Sequence, residues 1–201
     1  MSSSSHCASP DLAARRRALL ALTAVAASAA AWPVAAQPTA AVGTPVPGEI
    51  LGDLPGARLQ GQARLRFFGL HVYDIRLWAP VPLSTDDALR KTAALEIEYA
   101  RALKGLQIAD RSLTEMRRVA DFEAAEGERW LARMQQLFPD VQAGDRITFI
   151  HRPGEGGRFH VNGRLAGEVR DAVFARLFIG IWLSPRTSEP QLRSALLGSP
   201  P

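Results

Sequence analysis

The chain has 201 residues, 22% charged and 47% hydrophobic, with 24 basic against 20 acidic side chains and a formal charge of +4. The charges are interleaved, without the basic block a nucleic-acid partner would need, and the single cysteine, Cys7, provides no disulfide framework. Catalytic templates are also missing: there is no G-x-S-x-G, no H-E-x-x-H and no Gly-rich nucleotide loop, so no cofactor is expected.

Arg15, Arg16 and Arg17 precede an apolar, alanine-rich run from Ala18 to Trp32, and small residues then lead to Val34-Ala35-Ala36. That order is the basic region, apolar region and cleavage site of a secretory signal, here residues 1–36. The run is shorter than the roughly 20 residues that span a bilayer. No stable membrane span is therefore expected after cleavage, and the predicted destination is the periplasm or the cell exterior. Cleavage removes three Arg and one Asp, leaving a charge of +2, and it removes Cys7. Residues 37–47, rich in Pro, Ala and Gly, form a loose leader. Residues 48–199 make one domain, large enough to stand on its core alone.

Within that domain, residues 63–78 (ARLRFFGLHVYDIRLW) are rich in β-branched and aromatic residues and read as one strand with a bulge at Gly69. Both parities are apolar, which predicts a central strand covered on both faces. Ser84-Thr85-Asp86-Asp87 offers caps for a short helix reaching about Lys91. Leu95 to Arg101 alternates as a strand. Leu106–Val119 and Asp121–Phe138 have helical spacing, and Pro139 stops the second. Val141 to Gly163 reads strand, Gly-rich turn, strand, Asn-Gly turn, the last pair suiting a type I′ hairpin. With the first turn at 154–157, His151 would face His160. A zinc site needs a third ligand, and only His71 remains, so no metal is expected. Residues 168–183 read as a largely apolar helix or helix pair. A last helix runs from the Thr187–Pro190 start signal to Gly198. Strands early and late, with helices between and after, imply an α+β fold with an antiparallel sheet and helices on one face.

Arg64 and Arg66 stand in the aromatic strand. An arginine projecting into a cavity beside the sheet would hold a carboxylate through its fork, with the Tyr73 hydroxyl donating a further hydrogen bond. Arg101, following Tyr99 on another strand, could assist. An apolar cavity with such an anchor suits a fatty acid or similar small amphiphilic anion.

Four stretches then resemble the chalcone isomerase-like family, in its exported bacterial branch: Gly61–Trp78, Glu98–Gly105, Gly144–Gly163 and Phe178–Gly198. The resemblance covers about Leu51 to Gly198. It implies an open-faced β-sandwich, an antiparallel sheet under a helical layer with a ligand cleft between. Members are either isomerases that close chalcones or non-catalytic relatives that bind fatty acids or assist other enzymes. The isomerases use a strand arginine, a threonine on the next strand, a helix tyrosine and a helix asparagine. By resemblance the arginine falls at Arg64 or Arg66 and the threonine at Tyr73. The helix pair falls near Ile108 and Glu115, and a C-terminal threonine near Leu177. Those departures remove the groups that would orient a phenol and its oxyanion. The expectation is therefore an exported, non-catalytic binding protein, with Arg64, Tyr73, Arg66 and Arg101 as the candidate ligand-binding residues. The alternative is an isomerase or intramolecular lyase using Arg64 as electrophile and Tyr73 as general acid.

Overall fold

A computed structural model describes residues 44–198. The expected signal segment, Cys7 and most of the leader lie outside the described residues.

Six strands form one antiparallel meander in chain order: β1 (Arg58–Phe67), β2 (Leu70–Ala79), β3 (Ala93–Tyr99), β4 (Arg146–Arg152), β5 (Gly156–Val161) and β6 (Arg164–Val169). The helices α2 (Gly105–Val119), α3 (Ala124–Leu137), α4 (Ala172–Leu183) and α5 (Pro190–Leu197) lie on one face. α4 sits over β4 and β5, and α2 packs on α3 and α4. The fold is α+β, as expected. A short helix, α1 (Gly48–Asp53), covers part of the other face, where Ile50 and Leu54 pack on Trp78, Ala94 and Ile150.

α4 is apolar on nearly every side because it is the middle of the helical layer. Phe174, Leu177, Phe178, Ile179 and Ile181 are all buried. Its start is fixed by Asp171, whose carboxylate accepts from the N–H groups of Val173 and Phe174 at 2.9 and 3.0 Å. The same carboxylate accepts from Trp130 Nε1 at 2.9 Å, tying α3 to α4. Among the described residues, no helix is long and apolar enough to cross a membrane.

Four local expectations are corrected. Residues 63–78 are not one strand but a hairpin, β1 and β2, turning at Phe68 (φ 47) and Gly69 (φ 78). Residues 84–91 form hydrogen-bonded turns instead of a helix. The stretch beginning at Arg164 enters a sixth strand before α4, so residues 168–169 are strand. His151 pairs with Gly157, and His160 with Thr148. The chain turns earlier than expected, because Gly156 and Gly157 belong to β5. Gly157 is needed there, since a Cβ would lie 2.2 Å from the Phe149 ring. His151 and His160 consequently sit on opposite faces of the sheet, His151 Nδ1 donating to the Lys91 carbonyl at 3.2 Å and His160 beside Asp53.

Candidate functional site

Strand alternation decides which side chains meet the helical layer. On β3, Leu95, Ile97 and Tyr99 point toward it. Across the ladders they pair with Leu77, Ile75 and Tyr73 on β2 and with Phe149 and Ile147 on β4. Between this surface and helices α2 and α4 lies a cavity of about 380 Å³. Its floor is the sheet, from Leu65 to Phe149; its roof is Ile108, Ser112 and Glu115 of α2 with Phe178, Ile181 and Trp182 of α4. The rim carries exposed side chains, among them Phe67, Arg101, Gln107 and Arg111. The volume falls within the roughly 300–1,000 Å³ usual for small-molecule sites, and the wall is mostly apolar with few polar groups, the pattern of such sites.

The polar groups are specific. Trp182 Nε1 donates to the Tyr73 hydroxyl oxygen at 2.9 Å, bracing α4 on β2. An indole N–H only donates, so the Tyr73 proton is left to donate elsewhere. Burial, opposed by the Trp182 hydrogen bond and supported by Glu189 and Glu115, pushes the Tyr73 phenol up to about 12. Tyr99 is buried beside it, ring centroids 6.2 Å apart in an edge arrangement. Burial, then the neighbouring Tyr73, raises its phenol above the ordinary range. Among the described residues, the Tyr99 hydroxyl has no hydrogen-bond partner. Both phenols therefore remain neutral donors around neutral pH.

Glu115 is buried in the roof and is met by two guanidinium groups, Arg111 at 2.7 Å and Arg118 at 3.4 Å. Arg101, two residues beyond Tyr99 and on the same parity, reaches the rim and forms no ion pair among the described residues. Glu189 lies on the rim formed by the segment before α5.

The structure brings together two of the four sequence-predicted residues, Tyr73 and Arg101, and leaves out the other two. Arg64 is on the outward face of β1, half exposed and bridging Asp74 of β2 at 2.7 Å. Asp74 holds its guanidinium charged and is itself held below the usual carboxylate range: burial opposes the shift, and Arg64 and His71 outweigh it. Arg66 is exposed and donates to the Gly69 carbonyl. Alternation gives the reason: the cavity receives Leu65 and Phe67, so their neighbours Arg64 and Arg66 face away. Ile108 and Glu115, where the resemblance puts the isomerases' helix pair, do line the roof, whereas Tyr99, Arg111 and Trp182 are not among the sequence-predicted site residues. The signal for Tyr99 was present in the sequence, since Leu95, Ile97, Tyr99 and Arg101 share one parity.

Comparisons with known proteins agree with this architecture. Residues 56–198 match the chalcone isomerase-like family. An uncharacterized protein of Haemophilus influenzae is 29% identical over 140 residues, covering 69% of this chain and 66% of its own, just under two thirds of that relative's length. A crystal structure of an Arabidopsis thaliana fatty-acid binding protein superposes with a TM-score of 0.58 at 16% identity, over 71% of this chain and 87% of that one. That likeness establishes the fold. The chain belongs to the chalcone isomerase-like family.

Proposed function

We propose that the protein binds a fatty acid or other small amphiphilic anion in this cavity and releases it unchanged. The carrying observation is the largely apolar cavity into which Tyr99, beside Tyr73, brings a hydroxyl that has no hydrogen-bond partner among the described residues. A ligand oxygen accepting from that hydroxyl would gain roughly 0.5–1.5 kcal/mol. The apolar wall receives the chain of the ligand, and Arg101 meets its charge at the rim. The fatty-acid binding protein with the same fold supports this reading.

The isomerase alternative requires Arg64 as electrophile, and Arg64 is outside the cavity, paired with Asp74. Its acid, Tyr73, is pushed up to about 12 by burial, far from the value that suits a general acid near neutral pH.

Extraction of the purified protein into organic solvent is expected to release a carboxylic lipid seen by mass spectrometry. Protein carrying Tyr99→Phe and Arg101→Ala should come out depleted. No lipid in either, with no binding on titration, would contradict the reading. Export is proposed with it: N-terminal sequencing of envelope material should begin at Gln37, and a retained Met1 would sink that part.

A further inference from the structure

At the tip of the β1–β2 hairpin, three large apolar side chains stand in water: Phe67 is 61% exposed, Phe68 91% and Leu70 56%. Scattered exposed hydrophobics are ordinary on a protein surface, but three around one turn are not. Phe68 also occupies left-handed backbone, at φ 47, where a bulky side chain is a rare occupant and Asn or Gly the usual one. The second tight hairpin of this sheet supplies the contrast: Asn162 and Gly163 make the same kind of turn at φ 49 and 79. Phe68 thus costs the turn strain and leaves its ring in solvent apart from an edge contact with Phe67. Strain without internal packing in return points to a partner outside the molecule.

The surroundings select the partner. Arg64 and Arg66 flank the tip on the outward face of β1. Arg66 meets only a carbonyl of its own turn, and the nearby carboxylate, Asp74, is already paired with Arg64. Arg101 adds an exposed cation on the cavity rim. An apolar wedge with a cationic border is the composition of an element that lies in an anionic membrane surface. Phe67 belongs both to the tip and to the cavity rim, so the surface that would meet the membrane is continuous with the mouth.

We propose that the β1–β2 hairpin tip docks on an anionic lipid bilayer, placing Phe68 and Leu70 among the acyl chains and Arg66 against lipid phosphates. The docking does not depend on what fills the cavity. Flotation of the purified protein with vesicles of phosphatidylglycerol and phosphatidylcholine tests it. Binding is expected to the anionic vesicles, about tenfold weaker to pure phosphatidylcholine, and lost in about 0.5 M salt. The turn-compatible double variant Phe68→Asn/Leu70→Thr should melt like the parent and float about tenfold less. Arg66→Gln should reduce binding about fivefold. The proposal is overturned if the parent floats with neither vesicle, or if the folded double variant floats as well as the parent. It is also overturned if sedimentation shows a dimer that the double variant abolishes, because the tip would then be covered by a second copy. Lipid-free extracts combined with tip-dependent flotation would leave docking standing and remove the cavity reading alone.

Discussion

The two faces of β3 solve opposite problems with neighbouring residues. Toward the helices, Leu95, Ile97 and Tyr99 border a void that the protein leaves unfilled. Toward α1, Glu96 is buried and paired: it accepts from Trp78 Nε1 at 2.8 Å and meets Arg76 and Arg146 at 3.3 and 3.5 Å. The network continues under α1. Glu49 accepts from Arg146 and Thr148, and Asp53 takes Arg152 at 2.9 Å, with Arg158 and His160 close by. On this side the charged groups are paired with one another, although the buried Arg146 Nε and His160 Nδ1 lack hydrogen-bond partners, and the pairs fasten the start of the domain to the sheet. On the helix side the apolar surface is continuous but unmatched at its centre, and the polar groups there have valence to spare. A close-packed face whose charges are paired within the chain reads as structural; a face that borders a hollow reads as a place for something else.

This contrast can be sharpened by perturbing each face in turn. Glu96→Ala should be the most damaging change, costing about 4 kcal/mol in chemical denaturation, because it leaves the buried Trp78 indole N–H without its acceptor and takes one of two carboxylates from both Arg76 and Arg146. A cost under about 1 kcal/mol would mean the network is not structural. Acid comes next. Burial lowers His151 from 6.5 to about 4, against the pull of its Lys91 carbonyl contact. Its folded value lies below the unfolded one, so its contribution is complete above pH 6.5 and is lost as the pH falls toward 4. Stability should decline by about 3 kcal/mol across that window. His160, lowered chiefly by burial against the opposing charges of Asp53 and Glu49, acts in the same direction. His151→Asn, which keeps a donor for Lys91, should flatten the profile; an unchanged slope would assign the acid sensitivity elsewhere. The smallest effect is expected one residue from Glu96. Ile97→Val removes a methyl group from a wall that already borders a void, and should cost only about 0.5 kcal/mol. A loss of several kcal/mol would show that the hollow is tightly filled in solution.

The sequence disclosed the elements that local chemistry dictates. Asn162-Gly163 specified its own turn, Pro139 ended α3, and the Pro190 and Gly198 pair bracketed α5. Phe68-Gly69 did the reverse: phenylalanine carries no turn signal, so two antiparallel strands read as one. That merger also made both parities apolar and concealed which arginines faced inward. β6 was hidden because Arg164, Leu165 and Ala166 are exposed on an edge strand, and Gly167 interrupts the alternation. The register between His151 and His160 rested on which glycines formed the turn, a matter settled by the Phe149 ring that covers Gly157. The cavity itself depends on the spacing of α2 and α4 above the sheet, and no local pattern encodes that distance.

Isothermal titration calorimetry of the delipidated protein with a saturated medium-chain fatty acid tests the central claim most directly. One site is expected, with a negative heat-capacity change from apolar burial. Binding should be about tenfold weaker in Tyr99→Phe and abolished in Leu65→Trp, which fills the cavity from its floor. No heat with the parent protein, or undiminished binding in Leu65→Trp, would contradict the account.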